Sequence, residues 1–293
     1  MNKIRLINLI LLLLLCAVPV KPQTQREAIE ITYIANEGFL IKSGSNKIMF
    51  DALFGGIEGD WCDQPSDSLL QKMIKGVAPF NDINIVFVSH YHADHFSPRL
   101  MAEFLESNKS AILVCPSQVN DALSKVDNYT GISERVKYFK PDSFFDSELS
   151  CPGIKIRVVR IDHGKYYEKD AKTGEIVNRH QNVENFAYLV NMNGFNILHT
   201  GDGSPSNKEQ FIKYEISKSS FDLALLDRTF LNTDGYDILE KYLNTKNLVY
   251  MHLGPGEKSI YKRMEKMPVG RYKIHIFTEP METKRITRLK TGI

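Results

Sequence analysis

VFVSHYHADHFSP, residues Val86–Pro98, is an apolar run that leads straight into three histidines and an aspartate within six residues, His90 to His95. Side chains two apart on extended backbone point the same way, so His90 and His92 can grip one cation together. Asp94 and His95 follow where the chain turns toward a helix opened by Ser97 and Pro98, a good N-cap and a good first helical residue. They face elsewhere and suit a second ion close by. A set of imidazoles and carboxylates fits zinc, iron or manganese better than calcium or magnesium, which prefer all-oxygen shells. Burying so many titratable groups together without a cation would be costly.

The flanking segments predict a sheet-rich chain. IEITYI (29–34) and IKIRVVRIDH (154–163) alternate as half-buried strands do, and INIVFVSH and AILVC are denser apolar runs. GFLIKSGSNKIMFDA reads as a hairpin, as does NFAYLVNMNGFNILHT, which turns at Asn193-Gly194. FDLALLD, NLVYMHL and YKIHIF complete the strands. In SPRLMAEFLESN, Leu100, Met101, Phe104 and Leu105 share one helical face; SQVNDALSKV, NKEQFIKYEI and DGYDILEKYL are further helices. No repeat or linker divides the chain, so one domain of two sheets with covering helices is expected over residues 23–293.

The first 22 residues are set apart from that domain. Lys3 and Arg5 precede the apolar run Leu6–Val18, which is shorter than the roughly 20 residues of a membrane span, so a secretory signal peptide is expected. The alternative is a permanent N-terminal anchor, and Cys16 gives a weak likeness to an acylation site. Export to a periplasmic or extracytoplasmic space follows. The remaining cysteines, Cys62, Cys115 and Cys151, are widely spaced without a CxxC pair, which argues against a thiolate zinc site and for idle thiols. With 293 residues and a net charge of +2, the chain lacks the basic excess of a nucleic-acid binder. The expected partner is a small-molecule substrate, with membrane contact only through the N-terminal segment.

HYHADH resembles the H-x-H-x-D-H signature of the metallo-β-lactamase-fold hydrolases, and the likeness runs from about Ile29 to about Phe277. KIMFDALF resembles the early strand of that family, ending in Asp51, which supports the metal loop. ILHTGDG resembles the later strand that carries a bridging carboxylate, here Asp202, and LVYMHLGP the last motif, with His252 as final ligand. His163 fits the remaining ligand by position, with His180 in NRHQNVEN as its rival. His199 is placed in a supporting role behind Asp202, and His275, alternating with Ile274 and Ile276, is expected at the surface.

The resemblance implies an α/β fold, an αββα four-layer sandwich of two mixed sheets with helices on the outer faces. It also implies two zinc ions per chain, with manganese or iron(II) as alternatives. His90, His92 and His163 would form one site and Asp94, His95 and His252 the other, with Asp202 bridging. Asp94 and Asp202 would be the catalytic carboxylates. Metal-activated hydroxide would then attack an ester, lactone or phosphodiester. The pattern is most similar to the branch of sugar-acid-phosphate lactonases and N-acyl phospholipid phosphodiesterases. The competing expectations are an idle metal-binding scaffold of the same fold and a nuclease-type phosphodiesterase. A glutamate would stand at His92 in a redox di-iron relative, and a cysteine at Asp202 in many antibiotic-degrading ones. Two loops flank the site, Leu53–Pro65 with Trp61, and the stretch after His163 with Tyr166, Tyr167, Arg179 and Lys165. Those two cations are the ones placed to meet an anionic substrate.

Overall fold

Apolar side chains occupy both faces of most strands, and that determines how the layers stack. The structure, a computed structural model, describes residues 28–267 and 270–288. The first sheet contains β1 (Ala28–Ala35), β2 (Gly38–Ser43), β3 (Asn46–Phe50), β4 (Ile85–Phe87), β5 (Ile112–Pro116), β6 (Val136–Phe139) and, last in the chain, β18 (Thr283–Thr287), in the order β18-β1-β2-β3-β4-β5-β6. The second contains β7 (Asp146–Cys151), β8 (Ile154–Arg160), β11 (Phe186–Met192), β12 (Phe195–His199), β14 (Leu223–Asp227), β16 (Asn247–Met251) and β17 (Lys273–His275), in the order β17-β16-β14-β12-β11-β8-β7. Each sheet is antiparallel in one half and parallel in the other. Two small ladders complete the strands: β9 (Tyr167–Lys169) with β10 (Ile176–Asn178), and β13 (Ser220–Phe221) with β15 (Asn244–Thr245).

The two-residue period of a strand sorts side chains into layers. Phe39, Ile41, Ile48, Phe50, Ile85 and Phe87 face Ile156, Val158, Phe186, Tyr188 and Val190 across the gap between the sheets. Their neighbours Leu40, Met49, Val86 and Val88 face outward. There they meet α1 (Asp67–Ile74), α2 (Pro98–Ser107) and α3 (Ser117–Leu123). Val159, Ala187, Leu189 and Leu198 likewise face out toward α4 (Lys208–Lys213) and α5 (Thr233–Tyr242), and a short α6 (Lys258–Tyr261) follows. Three apolar layers between four structural ones make the αββα sandwich. α2 begins as its sequence predicts: the Ser97 hydroxyl caps the Leu100 amide and Pro98 occupies the first turn. The Tyr188 hydroxyl crosses from β11 to donate to the carbonyls of Val88, at 2.7 Å, and Val114, at 3.1 Å, tying the sheets together beside the histidine motif.

The structure corrects or extends several readings. His275 is buried, with Nε2 3.1 Å from Asn247 Oδ1, rather than at the surface: β17 is covered by the turns that follow α6. The stretch after His163 is no plain loop, since it contains the β9–β10 hairpin. α1 and β7 had no clear signal. Cys62, Cys115 and Cys151 are free thiols. No helix among the described residues is long and apolar enough to cross a membrane. The expected signal peptide or anchor lies outside the described residues.

Candidate metal centre

β4 ends at Phe87, and Val88 and Ser89 lead directly into the histidine motif, so the most buried part of the first sheet aims it. From the second sheet, β8 brings in His163, β12 brings in Asp202 and β16 brings in His252. One donor atom from each of His90, His92, His163 and Asp202 lies within 4.8 Å of the others, and the same holds for Asp94, His95 and His252. Asp202 reaches both groups. Its Oδ2 is 3.1 Å from His163 Nε2 and 3.8 Å from His252 Nε2, while its Oδ1 is 3.5 Å from His95 Nε2. All seven side chains named from the sequence therefore converge, although they are spread over more than 160 positions of chain.

Backbone geometry is committed to this arrangement. His252 holds φ at +57° and Asp51 at +38°, left-handed values that non-glycine residues adopt at a cost. Gly201 has φ +50°, and a Cβ there would stand 2.5 Å from Ser89 Cβ and 2.6 Å from Asn185 Oδ1. Only glycine lets the turn before Asp202 lie against the histidine motif.

Asp51 organises the histidines from below. Its Oδ1 accepts the Ser89 amide at 2.8 Å, and its Oδ2 accepts the Ser89 hydroxyl at 2.7 Å. A hydroxyl that donates to Asp51 has its lone pairs left for His90 Nδ1, 3.0 Å away, so His90 carries its proton on Nδ1. His95 Nδ1 donates to the same Asp51 oxygen at 3.2 Å. His163 Nδ1 donates to the Gly164 carbonyl at 2.8 Å. With one proton held on the far side of each ring, Nε2 points into the cluster. Burial would lower His95, yet Asp94 and Asp202 hold it well above its ordinary value, so in the metal-free chain its Nε2 carries a second proton that a cation would displace.

Those nitrogens face other acceptors. His163 Nε2, His95 Nε2 and Asp202 Oδ1 are buried without a hydrogen-bond partner, and His90 Nε2 is 2.9 Å from His92 Nδ1. Ring nitrogens and carboxylates converging with only imidazole protons between them fit cations, and the mixed imidazole and carboxylate set fits transition-metal ions. In the chain alone, burial and then the His95 charge push His90 well below its ordinary value, and burial and His163 take His92 to about 4. Burial would raise Asp94 and Asp202, but the neighbouring imidazoles hold both well below the usual carboxylate range. Burial would lower His252, yet Asp202 and Asp94 push it up to about 9.

The surroundings contain groups that sequence reading passed over. Asn36 donates to Asp94 Oδ2 at 3.1 Å. Glu37 is fully buried, with neither carboxylate oxygen bonded, 3.7 Å from His95 Nδ1, and burial raises its carboxyl well above the ordinary value. Asp227 ends β14 inside the same field, its carboxyl raised by burial and by Asp202. Position at a strand end was the available signal for Asp227; nothing marked Glu37. His199 is buried, stacks on Phe50 at 4.5 Å and accepts the Gly201 amide at 3.1 Å, so it touches the turn before Asp202 and not the seven side chains. His180 lies outside both donor groups but its ring is 4.1 Å from that of His163 and 4.9 Å from that of His92. Arg179 is turned away into pairs with Glu168, at 2.9 Å, and Asp170, at 3.4 Å.

The fold and this donor cluster agree with sequence comparison, in which residues 46–272 match the model of the beta-lactamase superfamily domain. The chain belongs to the metallo-β-lactamase superfamily. Solved structures with this fold include Igni18, a metallo hydrolase from the archaeon Ignicoccus hospitalis, with 16% identity, 89% of this chain and 100% of that chain covered, and a TM-score of 0.56. A putative metal-dependent hydrolase from Parabacteroides distasonis has 15% identity, 85% and 92% coverage and a TM-score of 0.55. A possible metal-dependent hydrolase from Veillonella parvula has 14% identity, 87% and 98% coverage and a TM-score of 0.53. No curated protein matches the sequence. The superfamily fold implies divalent metal ions, and the His/Asp clusters are candidates to hold them.

Proposed function

We propose that this protein is a dinuclear metal-dependent hydrolase, with zinc as its ions, acting on an ester, lactone or phosphodiester. The observation that carries the reading is Asp202, whose two oxygens face the two donor groups at once. His90, His92 and His163 would hold one ion, Asp94, His95 and His252 the other, and Asp202 both. When bound, such ions lower the pKa of water toward neutrality and stabilise negative charge developing on the substrate.

The chain's own residues do the rest. Asp51 and the Gly164 carbonyl keep the imidazole protons outside the cluster. Asp94 and Asp202 stay anionic at neutral pH, so they hold cations and orient water. Hydrolysis consumes one water. Its oxygen bonds to the carbonyl carbon or phosphorus as the ester C–O or P–O bond breaks, and its protons end on the products. Near-neutral net charge speaks against a nucleic-acid substrate. The basic start and apolar run of the N-terminus support export as part of the same proposal.

Metal content and turnover test this together. The purified protein should hold close to two transition-metal ions per chain. His92→Ala should lower both metal content and hydrolysis across a panel of generic esters, lactones and phosphodiesters. His163→Ala should lose metal where His180→Ala keeps it. A metal-replete protein inert against the whole panel would replace this reading with that of an idle scaffold.

A further inference from the structure

One wall of the centre is built of rings. Tyr91 lies 5.1 Å from His92, His92 4.9 Å from His180, His180 4.1 Å from His163, and Tyr166 5.6 Å from His180, all between centroids. The outer members are open to solvent: Tyr91 is 44% exposed and Tyr166 53%. Five rings thus run without interruption from the candidate ligands to the surface.

The wall is held in place. The Gly164 carbonyl accepts His163 Nδ1 at 2.8 Å and His180 Nδ1 at 2.9 Å, fixing both rings in one tautomer from a single atom. His180 Nε2 then has no partner among the described residues, and it is absent from the buried orphans, so it is open to a ligand. Tyr166 is anchored through its backbone on both sides, its amide donating to Asn178 Oδ1 at 3.0 Å and its carbonyl accepting the Arg179 amide at 2.8 Å. Preorganised rings lose little entropy on stacking.

The wall is also uncharged. Arg179, the cation beside it in sequence, is committed to Glu168 and Asp170. Arg228 is paired with Glu257 and Lys258 with Asp63. Lys165 is exposed and makes no ion pair among the described residues, and it is the control in the test below.

We propose that Tyr91, Tyr166 and His180 form a substrate platform that selects uncharged esters or lactones bearing an aromatic ring over phosphodiesters. The tyrosines stack on the ring and His180 Nε2 hydrogen-bonds a polar atom of the same molecule. This rests on the hydrolase reading and narrows its substrate class.

The test uses the metal-loaded full chain and three neutral or anionic probes. These are dihydrocoumarin as a lactone with a fused aromatic ring, γ-butyrolactone as a lactone without one, and bis(4-nitrophenyl) phosphate. Binding of 3,4-dihydro-2-quinolinone, an uncharged lactam that resists hydrolysis, is measured alongside. Tyr166→Ala and Tyr91→Ala should each raise the KM for dihydrocoumarin and the Kd of the lactam about 3- to 10-fold. They should leave metal content and the γ-butyrolactone KM unchanged. Tyr166→Phe should behave as wild type, and His180→Ala should raise the KM at full metal content, with His180→Gln partly restoring it. Lys165→Met should leave the lactone constants unchanged. The platform is overturned if the tyrosine variants shift neither KM nor lactam Kd. It is also overturned if the phosphodiester is the better substrate and Lys165→Met impairs its turnover, an outcome that leaves the hydrolase reading standing. Absent turnover with tyrosine-dependent lactam binding intact sinks the hydrolase reading instead.

Discussion

Replacing Asp51 by Asn should cripple metal binding without touching a proposed ligand. Asn keeps the shape and tolerates the positive φ of this position, so the backbone is not the variable. What changes is hydrogen-bond polarity. The Asn carbonyl can still accept the Ser89 amide in place of Oδ1. The other atom becomes an NH2 donor where Oδ2 now accepts from Ser89 Oγ and His95 Nδ1. Ser89 must then accept from Asn and donate onward to His90 Nδ1, which moves the His90 proton to Nε2. His95 must likewise give up its Nδ1 proton. Both rings would present N–H groups to the cluster where a cation needs lone pairs. Loss of one outer hydrogen-bonding partner of a metal ligand costs roughly 10–100-fold in affinity, and here one carboxylate serves two ligands. We therefore expect a fall of at least about 100-fold, or about 2.7 kcal/mol, in apparent zinc affinity. Competition against a chromophoric chelator at constant pH measures it, with circular dichroism confirming the fold. A D51N affinity within about threefold of wild type would show that Asp51 does not set the tautomers, and the argument for lone pairs facing inward would fall.

Two further expectations follow from the same geometry. Tyr188→Phe removes a hydroxyl that donates to two buried carbonyls and should cost about 1–3 kcal/mol, or several degrees in Tm, at unchanged metal content; loss of metal in this variant would mean that the tie between sheets also positions the centre. Stability of the metal-free chain should peak near pH 6.5 and fall on both sides. His252 is raised from 6.5 to about 9, so its contribution is complete below 6.5 and is lost as pH climbs through 9. His92 and His199 are depressed to about 4, so theirs is present above 6.5 and is lost as pH falls toward 4. Bound metal would displace the His252 and His95 protons, so the alkaline decline should vanish on metal loading and shrink in His252→Ala, which leaves the part due to His95. Urea midpoints between pH 5 and 9 read both limbs, and an alkaline decline undiminished in His252→Ala would assign it to another group.

The fold was legible where one physical signal dominated. Strand period and turn chemistry marked both long hairpins, and Ser97-Pro98 marked the start of α2. The motif marked the first-sheet candidate donors because four ligand-type side chains follow a buried strand with little sequence between them. His163 and His252 were legible by position at strand ends. Their convergence depends on how the second sheet packs, which no local pattern encodes. His275 misled for that reason: alternation gives a side chain's face, and only the covering segment decides whether that face is wet. The β9–β10 hairpin escaped notice because its strands are three residues each, too short to show an apolar period. Glu37 follows the end of a strand in a tight hairpin, where an acidic residue ordinarily points to solvent.

Glu37 also shows why the centre reads as one built for cations. With it lie Asp51, Asp94, Asp202 and Asp227, five carboxyl groups buried or nearly so in one field, and among the described residues imidazoles are the basic groups that act on them. Opposing lysines or arginines would neutralise such a set in a purely structural network, but Arg228 and Lys258 are paired elsewhere. Self-repulsion among the carboxylates must then be met by protons, as on Glu37, or by metal charge. His199 closes the case against a further ion behind His95. Its Nδ1 accepts the Gly201 amide, so its Nε2 carries a proton and offers no lone pair to the Glu37 side. The negative field is therefore directed at the front of the cluster, where Asp202 spans the two donor groups. A protein that kept only the fold would have no physical reason to retain the buried acidic groups behind that face.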